Sequence, residues 1–506
     1  MSVKIQELFN RKTLYIFLGL FALEAVSFLG YFNSDIREIF FWIILLVVLA
    51  LSLKDLRYGV LAGALELLIG SQGYLLFSSG VSLRIGLWVI VMAVWFAKWL
   101  IWFIKYLKIE KRKRGNENLF YHFRYFAAFL LLAIFVAVGA LKGLAVGATF
   151  DNWFFDINGW LFFLWLMPVI AVFKKHRTNQ MLRDLSLVFV AGLLWLVFKS
   201  LFLMFVFSHG IIVLFEPLYS WSRENYLGEI TALDGGFYRI FFQSQIYALL
   251  ALILTWFSFN NISKLKGKYA TYLIVFSSLL FSVVLISLSR SFWVGAIAGF
   301  IIWAIVTKKK YSWKILFSSI SKIVLTAVMA ALIITVVVRF PFPGVDTNFS
   351  ASQILKDRAN ITSDEAAISS RWSLLPVLIK EIIKSPIIGK GFGSEVRYKT
   401  SDPRVLESTV DGYYETYAFE WGWLDIWLKI GLLGVLAYFW LFYRITREGF
   451  EAKSFQPQAM GLSTTLLVLM VVNIFTPYLN HPLAIGYLIF AALIIARSRE
   501  KVIINL

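Results

Sequence analysis

The chain contains no cysteine, which excludes disulfides, thiolate metal sites and a cysteine nucleophile. It has only four histidines, His122, His176, His209 and His481, and no two of them have the spacing of a metal-ligand pair. Charged residues make up only 16% of the 506 positions. No cleavable leader is evident: Met1–Lys12 carries charges and runs straight into a full-length apolar stretch, which reads as a retained first helix. There is no repeat of fixed period and no low-complexity tract. Nor is there a matched pair of broken helices in two halves, as expected of a transporter built from inverted repeats.

What fills the chain instead is apolar. Hydrophobic residues make up 59% and aromatic residues 18%, with a mean hydropathy of +0.75; a soluble domain is about 45–50% apolar and about 25% charged. The apolar residues lie in unbroken runs of about twenty, which suits helices and not the alternating strands of a barrel. The fold class read from this is all-α, a polytopic helical membrane protein with about fourteen transmembrane helices (roughly twelve to fourteen) and one large external loop containing short amphipathic helices. The net charge of +19 does not point to nucleic acid, because the basic residues sit in short runs between apolar segments.

The expected spans are about 14–31, 39–53, 59–77, 83–107, 126–144, 153–173, 185–207, 237–257, 270–288, 292–306, 315–338, 421–443, 462–475 and 483–496. With this phase, the basic clusters Lys105–Arg114, Lys174–Arg177, Lys264–Lys268, Lys308–Lys310, Arg444–Arg447 and Arg497–Lys501 all fall on the cytoplasmic side, and both termini with them. Residues 211–221 read as an external amphipathic piece. Four regions follow: N-terminal scaffold helices over 1–236, central helices with external arginines over 237–338, a large external loop over 339–420, and C-terminal helices over 421–506. Between 340 and 420 there are nine Lys and Arg against eleven Asp and Glu, a balance that fits an external loop.

Several residues at the external face have the chemistry for a reaction. Arg290, between Ser289 and Ser291, and Arg239, at the external start of the eighth span, each read either as an interfacial arginine snorkelling to headgroups or as an anion ligand with bidentate geometry. Gln243, Ser244 and Gln245 suggest a polar cavity one turn deeper. Arg371 begins an amphipathic helix in which Trp372, Leu375, Ile379, Ile382 and Ile383 form the apolar face, so its guanidinium adds to a positive helix end. Pro376 is tolerable only in the first turn. Gly389, Gly391 and Gly393 surround Lys390 but lack the spacing of a nucleotide-binding loop; they read as a tight turn close to a substrate or to the membrane. Glu420 closes the loop beside Tyr417, and carboxylates with flat rings suit a sugar. Glu420 reads either as a partly desolvated general base or as an acid complementing a helix dipole.

Ser289-Arg290-Ser291-Phe292-Trp293, Ser370-Arg371-Trp372, Ser385-Pro386-Ile387-Ile388-Gly389-Lys390-Gly391-Phe392-Gly393 and Leu424–Gly434 occur in an order and spacing that resemble the O-antigen ligase and O-antigen polymerase superfamily, over about 235–445. The resemblance implies transfer of a glycan from a polyprenyl diphosphate to a hydroxyl of an acceptor glycan, lipid or protein. It places the reaction at the outer, periplasmic face of the cytoplasmic (inner) membrane, with membrane lipids around the chain, no nucleic acid and no metal or other cofactor. By the same resemblance Arg239 and Arg290 hold the diphosphate and Arg371 assists. Where these families usually have a histidine before the returning helix, this chain has Glu420, which implies a carboxylate base; His481 is a distant second. The competing reading is a non-catalytic exporter of polysaccharide or lipid, which needs charges along a path through the bundle instead of at one face. A transferase using a polyprenyl monophosphate sugar is disfavoured because the first external loop is only Asn33–Arg37.

Overall fold

A computed structural model describes residues 10–108, 123–175, 178–233, 236–260, 267–341, 366–400, 412–452 and 456–503. Lys111–Arg114, His122, His176, Arg177, Asp234, Lys264, Lys266 and the loop stretches 342–365 and 401–411 lie outside the described residues. From the amino end run α1 (Arg11–Phe32), α2 (Ser34–Lys54), α3 (Leu56–Ile69), a short hairpin β1 (Phe77–Ser78) and β2 (Val81–Ser82), α4 (Leu83–Lys108), α5 (Phe126–Ala145) and α6 (Phe150–Ile157). A 3-10 turn Trp160–Trp165 leads to α7 (Leu166–Lys175), α8 (Thr178–Ser208) and α9 (Ile212–Glu224). Then come β3 (Glu229–Ala232), β4 (Tyr238–Phe241), α10 (Ile246–Phe259), α11 (Gly267–Ile286), α12 (Arg290–Lys310) and α13 (Trp313–Arg339). The chain closes with α14 (Ala366–Ile383), β5 (Val396–Lys399), β6 (Tyr413–Thr416), α15 (Gly422–Glu451), α16 (Gln456–Val472) and α17 (Pro482–Ile503). This is an all-α polytopic membrane protein. Among the described residues nine helices are long and apolar enough to span a bilayer, or up to ten if α6 and the helix after it form one broken span, and three shorter apolar helices accompany them.

Besides the twelfth, which is broken at Gly431, three expected spans differ from the observed elements. The third ends early, because Ser71 (φ 50°) and Gly73 (φ 102°) turn the chain after α3. The sixth is broken at Asn158-Gly159 into α6, the 3-10 turn and α7. The eighth is not helical at its start: Tyr238–Phe241 pairs as a strand with Glu229–Ala232, and α10 begins only at Ile246. Helices of fourteen residues, as α3 and α10 are, reach about 21 Å against a hydrocarbon layer of about 30 Å.

The chain folds as two units. The first comprises Met1–Glu117 with Trp165–Leu355. Its first helices are punctuated by side-chain caps: Asn33 accepts from the amides of Asp35 (2.9 Å) and Ile36 (3.2 Å), and Asp55 from that of Arg57 (3.1 Å). Three ion pairs tie its helices together. Glu24 of α1 meets Lys199 of α8 at 2.8 Å and accepts from Trp195 Nε1 at 2.7 Å. Arg84 of α4 donates twice to Glu66 of α3, at 2.7 and 3.1 Å. Arg57 donates to Asp184 at 2.8 Å. Burying a charge in such surroundings is costly unless it is paired, and each of these has its partner.

The second unit comprises Asn118–Leu164 with Lys356–Leu506. It is organised by a break inside α15, where Gly431 takes φ 73° and ψ 175°. A helix break leaves carbonyls on one side and amides on the other without helical partners. The segment 386–393, termed the plug, supplies them. The amides of Leu432 and Leu433 donate to the carbonyls of Pro386 (2.9 Å) and Ile387 (3.3 Å), and the carbonyls of Leu428 and Lys429 accept from the amides of Lys390 (2.5 Å) and Gly391 (3.1 Å). The plug also meets α5, where Phe392 N donates to Gly139 O at 3.1 Å. Approach this close requires bare backbone: a Cβ on Gly391 would lie 2.3 Å from Gly143 N, and one on Gly431 would lie 2.2 Å from Ile387 O. Gly431→Ala combines this clash with a strained φ and is expected to destabilise the unit by at least about 2 kcal/mol. A thermal midpoint in detergent equal to that of the unmodified protein would refute the account of the break.

Candidate functional site

The first unit brings Arg239 and Arg290 into one neighbourhood. Arg239 sits on β4, opposite Thr231, and its Nε donates to Ser287 O at 2.9 Å. Its NH1 reaches Glu229 at 3.3 Å, and the guanidinium lies 4.8 Å from the centre of the Phe241 ring. Ser287 belongs to the turn between α11 and α12, in which Leu288 takes φ 45°. Arg290 is the first residue of α12; Ser289 precedes it without a capping hydrogen bond from its side chain, and its hydroxyl lies 3.0 Å from that of Ser291. Phe241 and Phe292 pack at 5.9 Å beneath them. A guanidinium at the start of α12, with that of Arg239 hydrogen-bonded to the turn before it, suits an anion. The polar cavity expected at Gln243–Gln245 is instead a cap. Gln245 accepts from Phe242 N at 3.1 Å and donates to Ser200 Oγ (3.1 Å) and Ile240 O (3.2 Å), while Gln243 N donates to Ser71 Oγ at 3.1 Å.

The second unit brings Arg371 and Glu420 together, 49 positions apart in sequence, as an ion pair at a surface where both stay substantially exposed. Trp421 Nε1 donates to Arg371 O at 3.1 Å, and the Trp372 and Trp421 rings meet edge to face at 5.7 Å. Glu420 is therefore half exposed against a guanidinium, not enclosed in a dry site. Arg371 is not at a helix end either. α14 starts at Ala366 and carries Pro376 in its interior. Its buried stripe is Leu374, Leu378 and Ile382, packed on Val396, Tyr398, Phe419 and Leu428, while Trp372, Ile379 and Ile383 face outward. The apolar residues of α14 thus cover two faces, which a single-face pattern does not separate.

Gly389, Gly391 and Gly393 all take positive φ and lie in the plug, against the backbone of α15, α5 and Trp153 respectively. The Lys390 side chain turns to Glu381. Burial works against ionisation of Glu381, but hydrogen bonds from Lys384 and Lys390 hold its carboxyl below the ordinary range. Tyr417 is half-buried, and burial, then the charge of Asp156, push its hydroxyl above the ordinary range. His481 caps α17, accepting from Leu483 N at 3.3 Å.

A cluster that inspection of the sequence overlooked lies beneath this surface. Lys429 Nζ is held between Asp156 of α6 and Asp425, one turn earlier on α15, the latter at 2.6 Å. All three side chains are at most 5% exposed. Asp156 also accepts from Gly393 N at 2.8 Å, and Asp425 from Asn480 Nδ2 at 2.7 Å. The signal was available in part: Asp425 and Lys429, four residues apart inside an apolar stretch, are the kind of intramembrane ionisable pair that calls for a reason.

Residues 273–439, from α11 past the break in α15, match a family model described as O-Antigen ligase. A curated relative, the O-antigen ligase of Salmonella typhimurium (strain LT2), is 23% identical over 292 residues, which cover 58% of this chain and 62% of the relative's length. Both findings support the O-antigen ligase and polymerase superfamily. Because the Arg371–Glu420 pair is exposed, Arg371→Ala is expected to change stability by less than about 1 kcal/mol. A larger drop in thermal midpoint than about 4 °C would mean that the pair is structural.

Proposed function

We propose that this chain, whose residues 273–439 match the O-antigen ligase model, transfers a glycan from a polyprenyl diphosphate to a hydroxyl of an acceptor at the outer face of the cytoplasmic membrane. The observation that carries the reading is the pairing of Arg371 with Glu420 beside Trp372 and Trp421, inside the stretch that matches the family. A carboxylate, a cation and flat aromatic faces are what a sugar hydroxyl about to lose its proton calls for.

In this reading the acceptor oxygen attacks the anomeric carbon and the bond from that carbon to the diphosphate oxygen breaks. The hydroxyl proton passes to Glu420, whose carboxylate Arg371 orients. The departing lipid diphosphate gains charge, a role that suits guanidinium groups such as those of Arg239 and Arg290, whose charge-assisted hydrogen bonds strengthen as the charge develops. Tyr417 offers a ring and a hydroxyl to the sugar, and Gly389, Gly391 and Gly393 keep the plug close to the reacting face. The chemistry assigns no step to a metal or other cofactor.

Purified protein in detergent or nanodiscs, given a polyprenyl-diphosphate glycan and an acceptor, is the test. Glu420→Gln is expected to lower turnover by about 10²–10⁴-fold and Arg290→Ala by about 10²–10³-fold, with little change in thermal midpoint. Full transfer by both variants would overturn the assignment of the site.

A further inference from the structure

The Asp156–Lys429–Asp425 cluster takes no part in the chemistry above. Its connections indicate what it does. Lys429 is the second-to-last residue before the break at Gly431, and its own carbonyl accepts from Gly391 of the plug. Asp156 joins the same plug two residues further on, through Gly393 N. Asp425 reaches the turn before α17 through Asn480. Above Lys429, its ammonium lies 5.6 Å from the centre of the buried Phe419 ring, immediately before Glu420. Phe419 packs in turn with Leu374, Leu378 and Ile382 of α14, the helix that carries Arg371.

One buried side chain is thus linked to four segments: the plug, α6, the α16–α17 turn and the platform under Arg371 and Glu420. Apolar packing alone is tolerant of sliding, since neighbouring methyl groups exchange partners at little cost. A buried ammonium between two carboxylates is not tolerant, because any shift leaves a charge without its partner. Buried polar groups of this kind are best attested as devices that select one register among several.

We propose that Asp156, Lys429 and Asp425 are positioning residues that lock the plug 386–393 to the first half of α15 and thereby set the placement of Glu420 against Arg371. The link to Glu420 rests on the glycan-transfer reading; the locking of the plug does not.

The cysteine-free chain lets the two be tested separately. Cysteines at Ile387 and Leu433, whose backbones share a 3.3 Å hydrogen bond and whose side chains are exposed, report the register of the plug by their rate of disulfide formation. Asp156→Asn is nearly isosteric and leaves Lys429 paired with Asp425, so it keeps the fold. It is expected to slow cross-linking at least about fivefold, because disulfides form only in a narrow geometry. It is also expected to lower kcat for transfer about tenfold to a hundredfold at unchanged KM. The charge-free triple variant Asp156→Asn, Asp425→Asn, Lys429→Met is the control for a merely structural role. It is expected to melt within a few degrees of the unmodified protein while still cross-linking slowly. Cross-linking at the unmodified rate in Asp156→Asn, or restored to it in the triple variant, would overturn the proposal. Slow cross-linking in Asp156→Asn, together with no transfer even by the unmodified protein, would uphold the lock and overturn only the transfer reading.

Discussion

A helix interrupted in an apolar environment must find partners for the peptide groups it exposes, and that requirement shapes the second unit. At Gly431 the amides of Leu432 and Leu433 and the carbonyls of Leu428 and Lys429 lose their helical partners. Each such group left without a hydrogen bond in hydrocarbon costs several kcal/mol. The segment between α14 and β5 answers with two carbonyls and two amides of its own, at 2.5–3.3 Å. Only glycine permits the approach, so the Gly-Lys-Gly-Phe-Gly sequence is explained by backbone contact. Its lysine turns to Glu381 and has no phosphate-binding loop around it.

Two kinds of charge pair follow from this arrangement, and their burial separates their roles. The Arg371–Glu420 pair is exposed, where an ion pair contributes little to stability, and in the proposed reaction it meets the acceptor. The Asp156–Lys429–Asp425 cluster is almost wholly buried, where an unpaired charge is severely destabilising, so its value lies in geometry. The first rests on the second through Phe419 and the apolar face of α14. In the first unit the pattern differs. Glu24–Lys199, Glu66–Arg84 and Arg57–Asp184 join helix to helix, while Arg239 and Arg290 are held at the turn into α12 by the carbonyl of Ser287 and the helix start itself.

The sequence by itself determined the class of the protein, most of its helices and the identity of its candidate arginines. Runs of about twenty apolar residues leave no alternative to membrane helices, since lipid offers the backbone no other partners. Several observed helix ends lie within about five residues of those expected. Arg371, Glu420, Arg239 and Arg290 stood out because charges and glycines are rare against so apolar a background. The tertiary structure decided what these residues touch. Arg371 meets Glu420 across 49 positions and Lys429 meets Asp156 across 273, and no local period encodes either separation. The break at Gly431 is likewise settled by tertiary contacts: a glycine within a helical pattern is tolerable on its own, and it becomes a break only because the plug supplies the hydrogen bonds that the helix gives up.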